Sequence, residues 1–256
     1  MPDFCLGARY RPHHPSTPAL RARVGLSRMI PSPSRNWFDL RKADGDDLGN
    51  ATRSCCCEAA DFRRIEINQA AMGSEWRPTT EMVLGRYARI TGYDEATGDN
   101  DSGTYTDDDM TDWTTHGIDL TPLQVEDVPT WCIVDGADPV EVAFAIDRTG
   151  PVLVTLALPA TWEDLSTWAQ APGVGASWVK NSGGQHRVLF GAYEAVGGFL
   201  TARTWGIDVS VHPAWFAAYV LAVDAVPSLA WFRSRPELVL PGSVWGEMAA
   251  VKRALS

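Results

Sequence analysis

The stretch Leu48-Gly49-Asn50-Ala51-Thr52-Arg53-Ser54-Cys55-Cys56-Cys57-Glu58-Ala59-Ala60 is the most informative part of this sequence. It places an amide side chain, Asn50, six positions before Cys56. From Cys56 to about Met72, apolar and charged residues alternate with helical spacing. A thiol in the first turn of a helix lies at the positive end of the helix dipole, which lowers the pKa of the thiol. The stretch therefore predicts a central helix with a reactive cysteine at its N-terminus.

The second half of the chain supplies the other groups that thiol chemistry needs. His186 opens an apolar strand directly after a Gly-Gly pair, and the next apolar strand ends at Trp205 and Gly206. In nucleophilic acyl transfer an imidazole takes the proton of the thiol, the thiolate attacks a carbonyl carbon, and an amide N–H stabilises the oxyanion. The candidates for these roles are His186, Cys56 and Asn50.

Further motifs follow in a fixed order, namely Thr91-Gly92-Tyr93-Asp94, Asn100-Asp101-Ser102-Gly103-Thr104, Ala157-Leu158-Pro159 and His212-Pro213-Ala214-Trp215-Phe216. The segments Leu48–Cys56, Gly183–Tyr193 and Leu200–Gly206 resemble those of papain-like cysteine peptidases. A closer resemblance, which covers residues 45–235 and includes the four further motifs, is to papain-like proteins encoded by tailed bacteriophages. It implies Cys56 as the nucleophile, His186 as its base and Asn50 where a glutamine is usual. It also implies that Trp205, before Gly206, shields the imidazole.

One position departs from the family pattern. Arg203 stands where the plant and lysosomal enzymes carry the asparagine that orients the catalytic imidazole. A guanidinium is a pure hydrogen-bond donor, so it cannot accept the imidazole N–H, and its charge disfavours a nearby imidazolium. Either another group orients His186, with Asp208 and Asp224 as candidates, or the site is degenerate.

Because three cysteines are consecutive, the position of the nucleophile is uncertain by one residue in either direction. Only one of three successive residues at a helix start can face a cleft, so two of these thiols are expected to be core or loop residues. The spacing from Asn50 favours Cys56 over Cys55 and Cys57, with Cys55 as the main alternative. The chain has five cysteines and no Cys-x-x-Cys pair, which favours neither a disulfide framework nor a zinc site.

Composition and periodicity divide the chain into three parts. Residues 1–44 are an extended, Pro-rich leader, residues 45–235 form the papain-like domain, and residues 236–256 form a C-terminal tail. Helical spacing dominates residues 45–120, and apolar strands dominate residues 121–235. We therefore expect an α+β fold in which a helical lobe carries the cysteine and an antiparallel sheet lobe carries His186. Helices are predicted from Cys56, Pro78, Asp107, Asp138 and Pro213, and strands over Val152–Leu158, 186–193, 198–205 and Val223–Val226.

Charge is unevenly distributed over the 256 residues. Residues 1–42 hold eight basic and two acidic side chains, a net charge of +6, whereas the whole chain has a net charge of −10. The remainder therefore carries −16, which disfavours nucleic-acid binding by the globular part. The leader is either a solvated, disordered segment or an arm that lies on an acidic neighbouring subunit.

Two classes of function fit these features. The first is a cysteine peptidase or amidase that acts on a peptide or protein substrate. The second is a degenerate virion protein that keeps the papain-like scaffold and assembles with other phage subunits through residues 1–44. No cofactor is expected, and the acidic stretch from Asp94 to Asp109 lacks a calcium-loop pattern, so no metal is expected. Without a membrane span or a signal-peptide core, we expect the host cytoplasm or the virion as the location.

Overall fold

The computed structural model of the chain describes residues 5–24, 29–121, 124–126, 128 and 130–238. Its helices are α1 (Leu20–Val24), α2 (Cys56–Ala71), α3 (Thr80–Thr91), α4 (Thr106–His116), α5 (Pro139–Thr149), α6 (Pro213–Tyr219) and α7 (Leu229–Ser234). Its strands are β1 (Ala8–Arg9), β2 (Arg35–Asn36), β3 (Thr104–Tyr105), β4 (Ile118–Thr121), β5 (Gln124–Glu126), β6 (Cys132–Val134), β7 (Val152–Leu158), β8 (Gly184–Tyr193), β9 (Leu200–Thr204), β10 (Ile207–Val211) and β11 (Val220–Ala225). The predicted tail, 236–256, lies outside the described residues from position 239 onward.

An antiparallel sheet of seven strands is the framework of the second half of the described chain. Its strand order is β10-β9-β8-β7-β11-β6, and β2 pairs with the far end of β8. Strands β7 and β8 are in register from Val152 opposite Phe190 to Leu158 opposite Gly184. Every residue of β7 is buried, because both faces of this strand are covered. Its sequence is therefore a continuous apolar run instead of an alternation.

Helix α2 lies against β8 and is the central helix of the fold. Its residues are buried from Cys56 to Gln69, including the charged Arg64. The Arg64 guanidinium donates hydrogen bonds to the backbone carbonyls of Thr149, Pro151 and Val226. A helix that is covered all round needs no single apolar stripe, so α2 alternates charge and apolarity without strong amphipathicity. It connects the helices of the first half to the sheet of the second.

Local capping signals set the helix boundaries. The Thr79 side chain accepts a hydrogen bond from the Met82 N–H at 3.3 Å, and Gly92 closes α3 in the left-handed conformation with φ of 75°. Asp138 caps α5 through the N–H groups of Val140 and Glu141, with a proline at the first helical turn. These are the residue types that favour helix starts and stops. The helix starts predicted from the sequence therefore agree with the structure within two residues.

The leader packs on the domain within its described parts. Leu20, Val24, Met29, Trp37 and Phe38 are buried in the main hydrophobic core. The Trp37 ring also donates a hydrogen bond to the Ile146 carbonyl at 2.6 Å. A solvated, disordered leader is therefore the wrong interpretation for residues 5–24 and 29–44.

Arginines of the leader pair with carboxylates of the same chain. Arg21 binds Asp135 and Glu141, both at 2.6 Å, and Arg35 binds Asp147. The acidic surface that the leader covers thus belongs to its own domain. This pairing explains how a segment of opposite charge is held on an acidic body.

Candidate active site

The loop before α2 is shaped by its aspartates. The Asp46 carboxylate accepts from the Leu48 N–H at 2.9 Å, and the Asp47 carboxylate accepts from the Gly49 N–H at 2.7 Å. Leu48 and Gly49 both have positive φ, 56° and 83°, a conformation that such turns favour. The N–H of Asn50 then donates to the Asp47 carbonyl at 3.1 Å. This loop holds Asn50 buried, six residues before the predicted nucleophile.

Cys56 is the first residue of α2 and has no exposed surface. Its Sγ accepts a hydrogen bond from the backbone N–H of Arg187 at 3.4 Å. Burial raises the pKa of the Cys56 thiol, but the Cys57 thiol, the His186 imidazole and the Arg187 N–H lower it more. The net pKa of Cys56 lies well below its ordinary value. A lowered pKa favours the thiolate, which is the nucleophilic form of a cysteine.

The neighbouring thiols differ from Cys56. Burial raises the pKa of both Cys55 and Cys57 above the ordinary range. The Cys55 Sγ lies 4.0 Å from the Leu48 carbonyl oxygen, and the Cys57 Sγ lies 3.7 Å from the Thr104 carbonyl oxygen. Among the three consecutive cysteines, Cys56 is thus the one whose thiol has a lowered pKa.

His186 lies in β8 and is held on two sides. Its Nε2 is 2.7 Å from the Thr204 Oγ1, and the Trp205 ring stacks on the imidazole at a centroid distance of 4.3 Å and an interplanar angle of 7°. Its Nδ1 has no nitrogen or oxygen partner in the described part of the chain. Because Nε2 is engaged by Thr204, Nδ1 is the nitrogen that is available to the Cys56 thiol.

Arg203 does not orient the imidazole, which answers the question that the sequence left open. Its guanidinium binds both carboxylate oxygens of Asp208, at 2.6 and 2.9 Å, and donates to the Arg41 carbonyl at 2.8 Å. Asp224 pairs with Arg187 at 3.1 Å. The suggestion that Asp208 or Asp224 orients His186 is therefore wrong. Thr204, the residue after Arg203, occupies that place because successive strand residues point to opposite faces.

Trp205 and Gly206 form the two-residue turn between β9 and β10. Both have positive φ, 47° and 75°, as the tight turn of such a hairpin requires. A Cβ on Gly206 would lie 2.5 Å from the Asp46 carbonyl oxygen, and the Gly45 N–H donates to the Gly206 carbonyl at 3.0 Å. Glycine therefore lets the hairpin sit directly on the loop that carries Asn50.

Tryptophans shield this side of the imidazole from water. Trp205 packs against Trp162 and Trp168, with ring centroids at 5.3 and 6.4 Å, and Trp168 stacks on Trp215 at 4.5 Å. Trp162 and Trp168 lie in the loop between β7 and β8, which contains two short 3₁₀ turns (Leu165–Ala169 and Ala176–Trp178). The loop thus supports the site through Trp205.

A small cavity of about 20 Å³ lies between the hairpin and α2. Asn50 and Cys56 both line it, together with Thr204 and Trp205. A cavity of this size holds about one oxygen atom. The backbone N–H of Cys56, in the first turn of a helix, has no partner within that helix. An amide side chain and a helix N–H beside one small cavity can stabilise an oxygen anion.

The N-terminal residues run across the same site. We call residues Cys5–Tyr10 the cleft segment. The Cys5 N–H donates to the Ala51 carbonyl at 3.0 Å, the Thr104 N–H donates to the Gly7 carbonyl at 2.8 Å, and the Tyr10 N–H donates to the Gln185 Oε1 at 2.6 Å. The cleft segment therefore crosses from the loop before Cys56 to the residue before His186, and both of these side chains have no exposed surface.

Side chains within and just after the cleft segment hold it in place. The Arg9 guanidinium lies over the Tyr105 ring at 4.2 Å, and Arg11 pairs with Asp108. His13 lies 2.8 Å from an Asp107 oxygen. Sequence reasoning missed this arrangement, and it also missed Thr204 and the Arg187 N–H. The one signal in the sequence was charge, because the leader is rich in arginine whereas the rest of the chain is acidic.

In the described residues, no three His, Cys, Asp or Glu side chains are grouped as metal ligands would be. Of the described helices, none has the length and apolarity that a bilayer crossing requires.

Comparison with known proteins identifies the fold of this chain through solved structures. No protein-family model matches the sequence, and no curated protein sequence matches it. Solved structures do match. Xylellain, a cysteine protease from Xylella fastidiosa, superposes with a TM-score of 0.63 at 12% sequence identity, over 88% of this chain and 96% of xylellain.

Two further structures give the same result. ProCathepsin B S9 from Trypanosoma congolense has a TM-score of 0.58 at 12% identity, over 87% of this chain and 86% of its own. The Carica candamarcensis cysteine protease CMS1MS2, in complex with E-64, has a TM-score of 0.51 at 14% identity, over 77% of this chain and 98% of its own. At these identities the likeness concerns the fold. The chain therefore has the papain-like fold, and the α+β class predicted from its sequence is confirmed.

Proposed function

We propose that the protein is a cysteine peptidase or amidase that acts on a peptide or protein substrate. The observation that carries the proposal is the Cys56 thiol, whose pKa is lowered beside a buried imidazole. A low-pKa thiol next to a positioned histidine is the arrangement that thiol hydrolases use. The papain-like fold supports this reading, since the solved structures that share it are cysteine proteases.

The residues divide the reaction between them. The Cys56 thiolate attacks the carbonyl carbon, and the resulting oxyanion is stabilised by the Asn50 amide and the Cys56 N–H. The His186 imidazolium then gives its proton to the leaving amine, which departs and leaves an acyl group on the sulfur. Water then attacks the acyl carbon while His186 takes one of its protons, the C–S bond breaks, and the carboxylic acid leaves. The proton that departed with the amine is thus replaced by one from water, and the Cys56–His186 pair is restored.

Thr204 takes the part of the orienting group in this proposal. A hydroxyl can accept the imidazolium N–H of Nε2, which an arginine cannot. Trp205, stacked on the ring, restricts its rotation and excludes water from the Thr204 hydrogen bond. A single hydroxyl with a covering tryptophan is thus sufficient to hold His186 with Nδ1 directed to the thiol.

The described state is a closed one, because Ala8 of the cleft segment packs against Cys56, and both Cys56 and His186 are fully buried. Reaction with an external molecule therefore requires that the cleft segment leaves the site. The observed rate is then the product of the open fraction and the rate of the open site. The pH dependence of the open site is retained, while the absolute rate is reduced.

The second candidate is a degenerate papain-fold component of a phage virion, found in the host cytoplasm during assembly. The phage origin rests on the sequence resemblance described above. The complete burial of Cys56 and His186 favours this candidate. Assembly through residues 1–44 is weakened by the ion pairs of Arg11, Arg21 and Arg35 with carboxylates of the same chain, which leave fewer free cations for a partner subunit.

Hydrolysis by matched cysteine variants separates the two candidates. The full-length chain carrying Gly7→Val, which displaces the cleft segment, is assayed against casein and against bacterial wall cross-link peptides. Adding Cys56→Ala should abolish hydrolysis, whereas adding Cys55→Ala should leave it, because the Cys55 thiol is buried with a raised pKa. Hydrolysis that survives Cys56→Ala would refute the proposal, and no hydrolysis in the Gly7→Val chain would favour the scaffold candidate.

A further inference from the structure

The Cys56 sulfur bonds to β8 at the point where a neighbouring strand ends. Strand β9 pairs with β8 only as far as Leu189, which lies opposite Arg203. Along an antiparallel strand every second amide points to the same edge, and Arg187 lies two residues before Leu189. The Arg187 N–H donates to the Cys56 Sγ at 3.4 Å. A backbone amide beyond the last β8–β9 pair therefore meets the sulfur.

The end of β8 that carries His186 and Arg187 is thus paired on one side only, among the described strands. That side is β7, where Thr155 lies opposite Arg187. A strand end with one neighbour has fewer hydrogen bonds to fix it than a strand end with two. Any contact that fixes this end also fixes the direction of the N–H that meets the Cys56 sulfur.

The Arg187 side chain supplies such a contact. It pairs with Asp224 of β11 at 3.1 Å, and neither side chain has exposed surface. Strand β7 lies between the two, with Thr155 opposite Arg187 and Leu153 opposite Asp224, so the pair spans two strand spacings, about 9.5 Å. The Arg187 Nη2 also lies 3.2 Å from the Met110 Sδ in α4. The side chain therefore ties the end of β8 both to β11 and to a helix.

Charged groups from several elements face this guanidinium. Burial alone would lower the pKa of Arg187, but anionic groups raise it above its ordinary value. These groups are, in order of effect, Asp224 in β11, Asp109 in α4, Cys57 in α2 and Asp61 in α2. Beyond the pair, the His13 Nε2 lies 3.4 Å from an Asp224 oxygen. The guanidinium thus remains charged and is held between the helices and the sheet.

Stability alone does not account for this pair. A buried ion pair often stabilises a protein no more than apolar residues of similar volume, because the desolvation of both charges offsets their attraction. What an ion pair adds is a fixed direction, since an arginine offers its donors in a planar fork. At Arg187 that direction is coupled to a backbone N–H at the nucleophile.

We propose that Arg187 is a positioning residue for the nucleophile. Its guanidinium, anchored on Asp224, holds the end of β8 so that the Arg187 N–H stays directed at the Cys56 sulfur. A donor in this place favours the thiolate, because a charged acceptor binds an N–H more strongly than a neutral thiol does. The inference rests on the proposed function, since it concerns the nucleophile of the same site.

The test is the midpoint of Cys56 alkylation by iodoacetamide between about pH 4 and 9, in the full-length chain. Arg187→Met should raise this midpoint by about one pKa unit, because a hydrogen bond to a charged sulfur is weakened. Arg187→Lys keeps a charged donor for Asp224 and should restore most of the shift. Arg64→Met is the matched control, because it removes another buried arginine, from α2, and should leave the midpoint unchanged.

A double variant separates positioning from charge. Arg187→Met combined with Asp224→Leu removes one positive and one negative charge, so the net charge of the buried cluster is kept. Replacing both partners by apolar residues is also the change that a buried ion pair tolerates best. Because the anchor is lost, the midpoint should stay raised by about one unit. If circular dichroism shows that Arg187→Met alone is unfolded, the double variant carries the test.

Three results would overturn the inference. A wild-type midpoint in the double variant would mean that charge alone explains any effect of Arg187→Met. An equal upward shift in Arg64→Met would mean that loss of stability alone moves the midpoint. No shift in Arg187→Met would mean that the N–H needs no anchor.

The casein assay described above separates this inference from the proposed function. Raised midpoints in Arg187→Met and in the double variant, without any hydrolysis, would leave the inference standing and count against the enzyme. Hydrolysis that depends on Cys56, with equal midpoints in all variants, would support the enzyme and refute the role of Arg187.

Discussion

Replacing Thr204 by valine removes one hydrogen bond and keeps the shape of the side chain. The Thr204 Oγ1 lies 2.7 Å from the His186 Nε2, and His186 is fully buried. When the thiolate and imidazolium form, Nε2–H donates to this hydroxyl. In Thr204→Val that N–H has no acceptor, and burial prevents water from replacing it. The substitution therefore destabilises the thiolate–imidazolium pair more than it destabilises the neutral thiol–imidazole pair.

The expected magnitude follows from the charge on the donor. A hydrogen bond to a charged group contributes about 1.5–3 kcal/mol. Because one pKa unit corresponds to about 1.36 kcal/mol, losing this bond should raise the pKa of the Cys56 thiol by about one to two units. Thr204→Ser keeps the hydroxyl and should restore most of the shift.

The assay is the rate of Cys56 alkylation by iodoacetamide from about pH 4 to 9, read by peptide mass spectrometry. Its midpoint reports the thiol pKa, because the thiolate is the reacting form. Since opening of the cleft segment scales every rate equally, the midpoint can be compared between variants. Identical midpoints in the wild-type chain, Thr204→Val and Thr204→Ser would refute the role of Thr204.

Three further predictions concern buried charges. Burial raises the pKa of Glu58 to about 8; the unfolded carboxyl ionises at its ordinary value of about 4.3, so stability should fall as pH rises between these values. Glu58→Gln should flatten that slope in urea unfolding, and an unchanged slope would contradict it. Arg64→Met leaves the carbonyls of Thr149, Pro151 and Val226 unpaired, so the free energy of unfolding should fall by about 3 kcal/mol or more, and a loss within error would contradict the buried network. Arg203→Met should leave the Cys56 alkylation midpoint unchanged, because Arg203 binds Asp208 and not His186. A shifted midpoint would mean that Arg203 influences the Cys56–His186 pair.

Local signals made much of the fold predictable. The start of α2 at Cys56 and the boundaries of α3 follow from periodicity and from capping residues that act within a few positions. Strand β7 was predictable from its apolar run and from the Gly150-Pro151 stop before it. Strand β10 was missed, although its alternation, Ile-Asp-Val-Ser-Val, is the pattern of a half-exposed strand.

The site was predictable in its main positions and not in its supporting contacts. Asn50, Cys56, Trp205 and Gly206 line one small cavity, and His186 stacks on Trp205 beside it. Arg203 was assigned to the orienting position by alignment with a motif, and a strand shifts the facing side chain with every residue. That one-residue step, which brings Thr204 to the imidazole, depends on three-dimensional register.

The position of the cleft segment was even less predictable from the sequence, because it depends on contacts between residues far apart in the chain. Gly7 and Ala8 carry no periodic pattern, and their meaning depends on Ser54 and Gly103, which lie far away in sequence. The excess of arginine in the leader indicated that acidic groups lie opposite it, and carboxylates of the same chain do so. It could not tell that the partner is the chain's own domain, because charge composition is independent of connectivity.

The central claim is that Cys56 and His186 form an activated pair. Its most direct test is the pH profile of Cys56 alkylation in the full-length chain and in His186→Ala. The account predicts a midpoint well below the ordinary thiol value of about 8.5, which moves upward when the imidazole is removed. An ordinary midpoint, or one that does not change in His186→Ala, would contradict the account and leave a papain-like scaffold without its chemistry.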